Sequence, residues 1–264
     1  MERQLVEREL VELMRMATAN KIRSRVENSL PGPVRALIAA VVVAGAGAVA
    51  FRLPDVTSWS RGDVLAFVAI AMATVVGEQF TLQFRQRQET KNISLTDAVF
   101  AGALVLARPS VLTMAVGAGV IVGHGMRGWK PYKVAFNAGS FLASITAAEV
   151  VFGAFHTSNP TQLSTWLAAA AGMGAFFVVN SSSVILVISR AEARSFMSVF
   201  APIFGVEAVH SAANMAIGLA GAVMWSTGNA AAPFLALLPV ASYFAYDAWL
   251  KHATRRPMEL VRVA

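Results

Sequence analysis

This 264-residue chain is poor in cysteine and in charged residues. There is no cysteine, which excludes disulfides, thiol catalysis and thiolate metal sites. Charged residues make up 14% of the sequence, against about 25% in a typical soluble domain. The sequence also lacks a phosphate-binding loop, a GxSxG motif, an HExxH zinc motif and a dinucleotide fingerprint. These absences argue against the common classes of soluble enzyme.

Apolar residues are correspondingly abundant. They form 56% of the chain, and the mean hydropathy is +0.58. A spanning helix needs about 20 mostly apolar residues, and the sequence offers about eight membrane segments. We therefore predict an all-α, polytopic membrane helix bundle. The predicted segments are residues 34–51, 63–84, 94–107, 110–126, 134–155, 164–189, 196–225 and 233–250.

The third and fourth predicted segments are short. They could form two thin spans, or a re-entrant hairpin with Arg108 and Pro109 at its tip. A re-entrant hairpin would need protein rather than lipid around its exposed backbone. In both cases the chain returns to the side from which it came.

The basic residues indicate an orientation. With the N-terminus placed in the cytoplasm, 19 of the 22 Lys and Arg residues fall on the cytoplasmic side, and Arg52, Arg61 and Arg108 on the other. This asymmetry matches the positive-inside rule. We therefore predict both termini in the cytoplasm and attribute the net charge of +7 to topology, not to nucleic-acid binding. The expected location is a bacterial inner membrane.

Three regions follow from this topology. Residues 1–30 are predicted to form a cytoplasmic amphipathic helix, residues 31–252 the transmembrane bundle, and residues 253–264 a cytoplasmic basic tail. The stripe of apolar residues on the first helix suits two roles. The helix could lie on the lipid bilayer, or residues 1–28 could bind a cytoplasmic partner or a second copy of the chain.

Polar side chains inside the predicted spans are the best candidates for function, because such groups are costly in a bilayer. Glu207, His210 and Asn214 have the spacing i, i+3, i+7 and so share one helix face. Glu78 lies well inside the second segment. We expect these groups to face other helices, as interhelical hydrogen-bonding partners or as a ligand or proton site.

Asn137 and Asn180 extend this candidate site to the fifth and sixth segments. We predict no metal site, since Glu207 and His210 supply only two ligands on one helix, and we predict no cofactor. Four other groups are given structural roles: Asp97 as an acid at a helix start, His124 as an interfacial residue, and Asp247 as an ion-pair partner of Lys251. The fourth, Glu149, lies near the outer end of its segment, where we expect it to reach water or to contact a loop.

Three stretches carry a family resemblance: "PYKVAFNAGSFLAS", "FFVVNSSSVILVIS" and "PFLALLPVASYFAYDAWLKH". They resemble the membrane-embedded N-terminal region of bacterial HD-type phosphohydrolase and diguanylate cyclase signalling proteins, over roughly residues 90–252. The matching positions are Lys133, Phe136 and Asn137, then Val179 and Asn180, and finally Leu238 and Pro239, where the spacer between Leu and Pro is missing.

The resemblance implies a sensory or regulatory membrane module. It does not transfer the enzymatic activities, because "KHATRRPMELVRVA" holds neither an HD pair nor a GGDEF-like motif. The chain could be a stand-alone relative, act through a partner, or be part of a longer protein.

The sequence thus supports a first hypothesis: a non-enzymatic membrane sensor or regulatory module that responds to a small ligand or to the state of the membrane. The alternative is a transporter of small solutes or ions, or its substrate-binding subunit, with a midplane site at Glu78, Glu207 and His210. A third hypothesis is a lipid-acting enzyme that uses Glu207 and His210 as acid and base. The lack of a second catalytic cluster argues against it.

Overall fold

The computed structural model describes residues 30–79, 81–86, 89–94, 96–155 and 159–229. The predicted amphipathic helix, the eighth segment at 233–250, Asp247 and the basic tail lie outside these residues. The described part of the chain is a multi-pass helical membrane bundle, as the composition predicts. Its helices are α1 (Gly32–Arg52), α2 (Arg61–Gln79), α3 (Thr96–Leu106), α4 (Pro109–Met126), α5 (Pro131–Phe155), α6 (Leu163–Ala191) and α7 (Phe196–Ser226).

Two short strands follow α2. Strand β1 (Thr81–Gln86) pairs antiparallel with β2 (Glu89–Ser94), and Thr81 lies opposite Ser94. The prediction that the second helical segment continues to Phe84 is therefore wrong, because α2 ends at Gln79. The sequence TLQFRQ alternates apolar and polar residues after Thr81, which is the period of a strand and not of a helix.

Within the described residues, six helical stretches are long and apolar enough to cross a membrane: the helical stretch Gly32–Ser58, which includes a 3₁₀ turn (Leu53–Ser58), then α2, α4, α5, α6 and the Glu207–Ser226 part of α7. Helix α3 has 11 residues and is shorter than a span. Large apolar side chains such as Val43, Leu65, Leu167 and Val209 are exposed, as expected for surfaces in contact with lipid.

The core surrounds the short helix α3. Phe100, Leu104 and Phe176 are almost completely buried there and pack with residues of α4, α5 and α6. Of the α4 span, 61% is buried inside the protein, against 17% for α2. Helices α3 and α4 therefore occupy the interior, and the other helices carry most of the lipid-facing surface.

Local sequence explains several helix starts. Pro109 and Pro131 stand at the first positions of α4 and α5, where the missing N–H costs nothing and the fixed φ suits a helix. At the start of α2, Ser60 and Asp63 form a reciprocal capping box, with Ser60 N donating to Asp63 Oδ2 at 2.8 Å. Ser195 caps α7 by accepting from Ser198 N.

Glycines allow α2 and α4 to approach closely. A Cβ atom at Gly119 would lie 2.6 Å from Thr74 Cβ and 2.8 Å from the carbonyl oxygen of Ala71. At Gly123 it would lie 3.0 Å from Glu78 Cβ. This contact brings the last turn of α4 against Glu78, as is usual for small residues between membrane helices.

Candidate functional site

A buried glutamate–histidine pair lies near the end of the bundle that carries the β-hairpin. Glu78 Oε2 on α2 is 2.8 Å from His124 Nε2 on α4, and both side chains are less than 5% exposed. Gln79 Nε2 donates to the carbonyl oxygen of Gly123 at 2.9 Å. The second bond fixes the same two helix turns, so that the carboxylate and the imidazole are held in register.

Helix α3 adds a second acid to this region. Thr96 Oγ1 lies 3.4 Å from Glu78 Oε1. The next residue, Asp97, accepts a hydrogen bond from the Ser211 hydroxyl and interacts electrostatically with His210 and with Glu78. Asp97 lies in the first turn of α3, as predicted. It is also the link between the Glu78–His124 pair and α7, which its sequence position did not indicate.

The polar face of α7 continues the chain of contacts. His210 Nε2 is 2.7 Å from Asn214 Nδ2, one helical turn away. One turn before His210, Glu207 Oε2 is 3.5 Å from Ser181 Oγ on α6. Next to Ser181, Asn180 accepts a hydrogen bond from Ser140 of α5 at 3.0 Å. Polar groups thus follow one another from α5 through α6, α7 and α3 to α2 and α4.

We call this set of side chains the polar belt. Its members are Glu78, Thr96, Asp97, His124, Ser140, Asn180, Ser181, Glu207, His210, Ser211 and Asn214. Of the six predicted site residues, Glu78, Asn180, Glu207, His210 and Asn214 belong to it. The sixth, Asn137, is half-buried on α5, three residues before Ser140, and is not a member of the polar belt.

His124, like Asp97, belongs to the polar belt but was given a structural role by the sequence analysis. It was predicted to be interfacial, and the structure shows that the residue is only 2% exposed. The imidazole is stacked on the Trp129 ring, with centroids 4.3 Å apart and planes inclined by 24°. The Gly residues on both sides of His124, in "GHG", were the available signal, since small neighbours permit close helix packing.

One ring nitrogen of His124 has further capacity. Nδ1 is buried and has no hydrogen-bond partner within the part of the chain that the structure describes. Buried polar atoms of proteins are nearly always hydrogen-bonded, so an unpaired one calls for an explanation such as an unplaced water or a functional role. Nδ1 of His124 is therefore able to form one further hydrogen bond, for example with a water molecule.

A second buried acid lies at the opposite end of the bundle. Glu149 Oε2 accepts from Arg52 Nη2 at 2.8 Å and from Arg52 Nε at 3.1 Å, and Oε1 accepts from Thr113 at 2.8 Å. The Glu149 side chain is 1% exposed. The prediction that Glu149 reaches water is wrong, because Arg52 and Thr113 satisfy its charge and hydrogen bonds inside the protein.

Comparisons with known proteins add no relative. A scan of protein-family models, a search of curated proteins and a search of solved structures each gave no match. The resemblance to signalling proteins therefore remains a prediction. Among the described residues, no group of three or more His, Asp or Glu side chains is arranged to hold a metal ion.

The arrangement has a definite chemical capacity. Three carboxylates and two imidazoles, from α2, α3, α4 and α7, lie inside the bundle, where Glu78 contacts His124, Glu207 lies 3.5 Å from Ser181 and His210 contacts Asn214. Imidazole is the side chain whose unperturbed titration falls between about pH 5 and pH 8. The polar belt thus contains side chains of the kind that exchange protons.

Proposed function

We propose that the protein is an integral membrane sensor or regulatory module and that the polar belt is its responsive element. The observation that carries this proposal is the buried Glu78–His124 pair, with Oε2 and Nε2 2.8 Å apart. When such a pair gains or loses a proton, its net charge changes by one. A charge in a low-dielectric interior is costly unless its neighbours rearrange. Protonation would therefore shift α2, α3, α4 and α7 relative to one another.

Packing favours this proposal over the transporter alternative. A transport site needs access for its solute from each side in turn, usually at a midplane cavity. Here Glu78 and His124 are buried against Thr96 and Trp129. Close packing suits a set of helices with two alternative arrangements, one of which is favoured when the site is protonated or binds a small ligand. We propose that a cytoplasmic partner, or a second copy of the chain bound through residues 1–28, receives the output.

The decisive experiment separates conformational response from transport. The full chain, reconstituted in liposomes that contain a pH-sensitive dye, is compared with its Glu78→Gln variant. For a sensor, proton flux across the vesicles stays at the level of protein-free liposomes. Hydrogen–deuterium exchange of the Glu78-facing turn of α4 should change between about pH 8 and pH 5, after correction for the intrinsic exchange rate.

Glu78→Gln should abolish this exchange difference. Glu192→Gln is the matched control, because Glu192 is exposed and pairs with Arg194 away from the polar belt, and it should behave as the unmodified protein. Proton flux above that of empty liposomes, lost in Glu78→Gln and kept in Glu192→Gln, would contradict the sensor and favour the transporter. An exchange pattern that ignores pH would contradict a proton as the signal.

A further inference from the structure

A cavity opens at the end of the bundle that carries the Arg52–Glu149 pair. It has a volume of about 250 Å³ and is enclosed by the ends of α3, α4, α5 and α6. Leu104, Leu112 and Phe152 supply most of its apolar wall, and Thr165 and Gly153 also line it. A cavity of about 150 Å³ with apolar walls is enough to bind benzene. This one therefore has room for a single ring with small substituents.

Glu149 is the charged group in the wall of this cavity. Its two oxygens accept three hydrogen bonds, two from Arg52 and one from Thr113. An ionised carboxylate offers about four acceptor positions, so one position is left for a ligand. Because Arg52 already offsets the charge, a neutral hydrogen-bond donor suits this position better than a second cation, which would crowd Arg52.

We propose that this cavity binds a small, neutral, mostly apolar molecule with one hydroxyl group, which donates a hydrogen bond to Glu149. The ring would lie against Leu104, Leu112 and Phe152. The site is separate from the polar belt, and its occupancy does not depend on the sensor proposal. Binding could fail while the pH response of the belt remains, or the reverse.

Two fluorinated probes test the site on the full chain in lipid nanodiscs. 4-Fluorophenol carries the hydroxyl, and fluorobenzene has the same ring without it. Fluorine-19 NMR titration should show saturable binding of 4-fluorophenol, about tenfold tighter than that of fluorobenzene, as expected for one hydrogen bond to a charged acceptor. Equal affinities would overturn the assignment of Glu149 as the ligand's partner.

Gly153→Phe supplies the blocking variant. A Cβ atom at Gly153 meets nothing within 4 Å, so the new ring can enter the cavity without a backbone clash. Gly174→Phe is the matched control: it is also a helical glycine with open space, on α6 and away from the cavity. Saturable probe binding should disappear in Gly153→Phe and persist in Gly174→Phe. Binding that survives Gly153→Phe, or its absence from the unmodified protein, would overturn the proposal.

A phospholipid chain is the competing occupant. Native mass spectrometry of the protein released from nanodiscs distinguishes it from a small molecule. A phospholipid retained by the unmodified protein and by Gly174→Phe, but lost from Gly153→Phe, would assign the cavity to lipid and overturn the small-molecule proposal. With a small-molecule site, lipid retention is the same in all three proteins.

Discussion

The two ends of the bundle each bury a glutamate, and they neutralise it in different ways. Glu149 is held by Arg52, whose guanidinium stays protonated at any pH that a protein tolerates. Glu78 is held by the imidazole of His124, a side chain that exists in neutral and protonated forms. The buried carboxylate at one end thus has a guanidinium as its partner, and the one at the other end has an imidazole.

The difference indicates that the two ends of one helix have different roles. Helix α4 carries Thr113 near its first turns and His124 in its last turn, so it contacts both glutamates. We interpret the Arg52–Glu149 end as a permanent anchor and the Glu78–His124 end as the part able to move. Each prediction below changes one end and asks whether the other is affected.

The largest effect is expected at the anchor. Arg52→Met leaves Glu149 buried without its counter-charge, which should lower the free energy of unfolding by about 3–5 kcal/mol. SDS-induced unfolding in mixed micelles measures it. Arg61→Met is the control, because Arg61 is exposed at the start of the next helix and its loss should cost little.

The double variant Arg52→Met with Glu149→Met should recover most of that loss, since replacing both members of a buried pair by apolar groups is often neutral. If the double variant were as unstable as Arg52→Met alone, the instability would come from lost packing and not from an unpaired charge. The anchor interpretation would then be wrong.

A smaller loss is expected from Thr113→Val, which keeps the shape but removes the hydroxyl that donates to Glu149 at 2.8 Å. Hydrogen bonds to charged groups contribute about 1.5–3 kcal/mol, and the unfolding free energy should fall accordingly. Thr74→Val is a matched control. Its hydroxyl donates only to the Ile70 carbonyl of its own helix, so its loss should cost about 1 kcal/mol or less. Equal losses would contradict a special role for the Glu149 contact.

Gly119→Ala tests the segment of α4 between the two ends. The added methyl group would overlap Thr74 and the Ala71 carbonyl oxygen, and we expect a destabilisation of about 1–3 kcal/mol from overpacking. Gly125 is the control on the same helix, because a Cβ atom there would meet nothing within 4 Å. Gly125→Ala should therefore be neutral or slightly stabilising. Equal effects of the two variants would show that α2 and α4 are not held at the described distance.

Much of the fold could be predicted from composition and hydropathy alone. Long apolar runs identified the membrane helices, and the cost of a charge in lipid placed Glu78 inside the bundle. The strands could have been found as well, since Leu82 and Phe84 alternate with polar residues in β1. The search for long apolar segments instead assigned these residues to the preceding helix.

Partners distant in sequence could not be predicted. Arg52 and Glu149 are 97 residues apart, and no local pattern connects them. His124 was misplaced for a related reason: nearness to the end of a segment was equated with nearness to water. Its ring is covered by Trp129, which follows on the loop after α4. Depth along one helix does not fix burial when neighbouring segments cover its end.

The last prediction addresses the Glu78–His124 end directly, by fluorescence and not by stability. His124 is stacked on Trp129, and a protonated imidazole interacts with an indole face as a cation and quenches its fluorescence. The Trp129 signal, taken as the difference between the unmodified protein and Trp129→Phe, should therefore decrease as the pH falls from about 8 to 5. His124→Gln should make this signal independent of pH.

Arg52→Lys supplies the contrast for the same measurement, because it keeps a positive charge beside Glu149 and leaves His124 in place. The Trp129 titration should persist in Arg52→Lys, since the anchor sets stability and not the charge of the imidazole. A titration that vanished in Arg52→Lys would mean that the two ends of α4 are coupled, and the division between a fixed end and a responsive end would have to be abandoned.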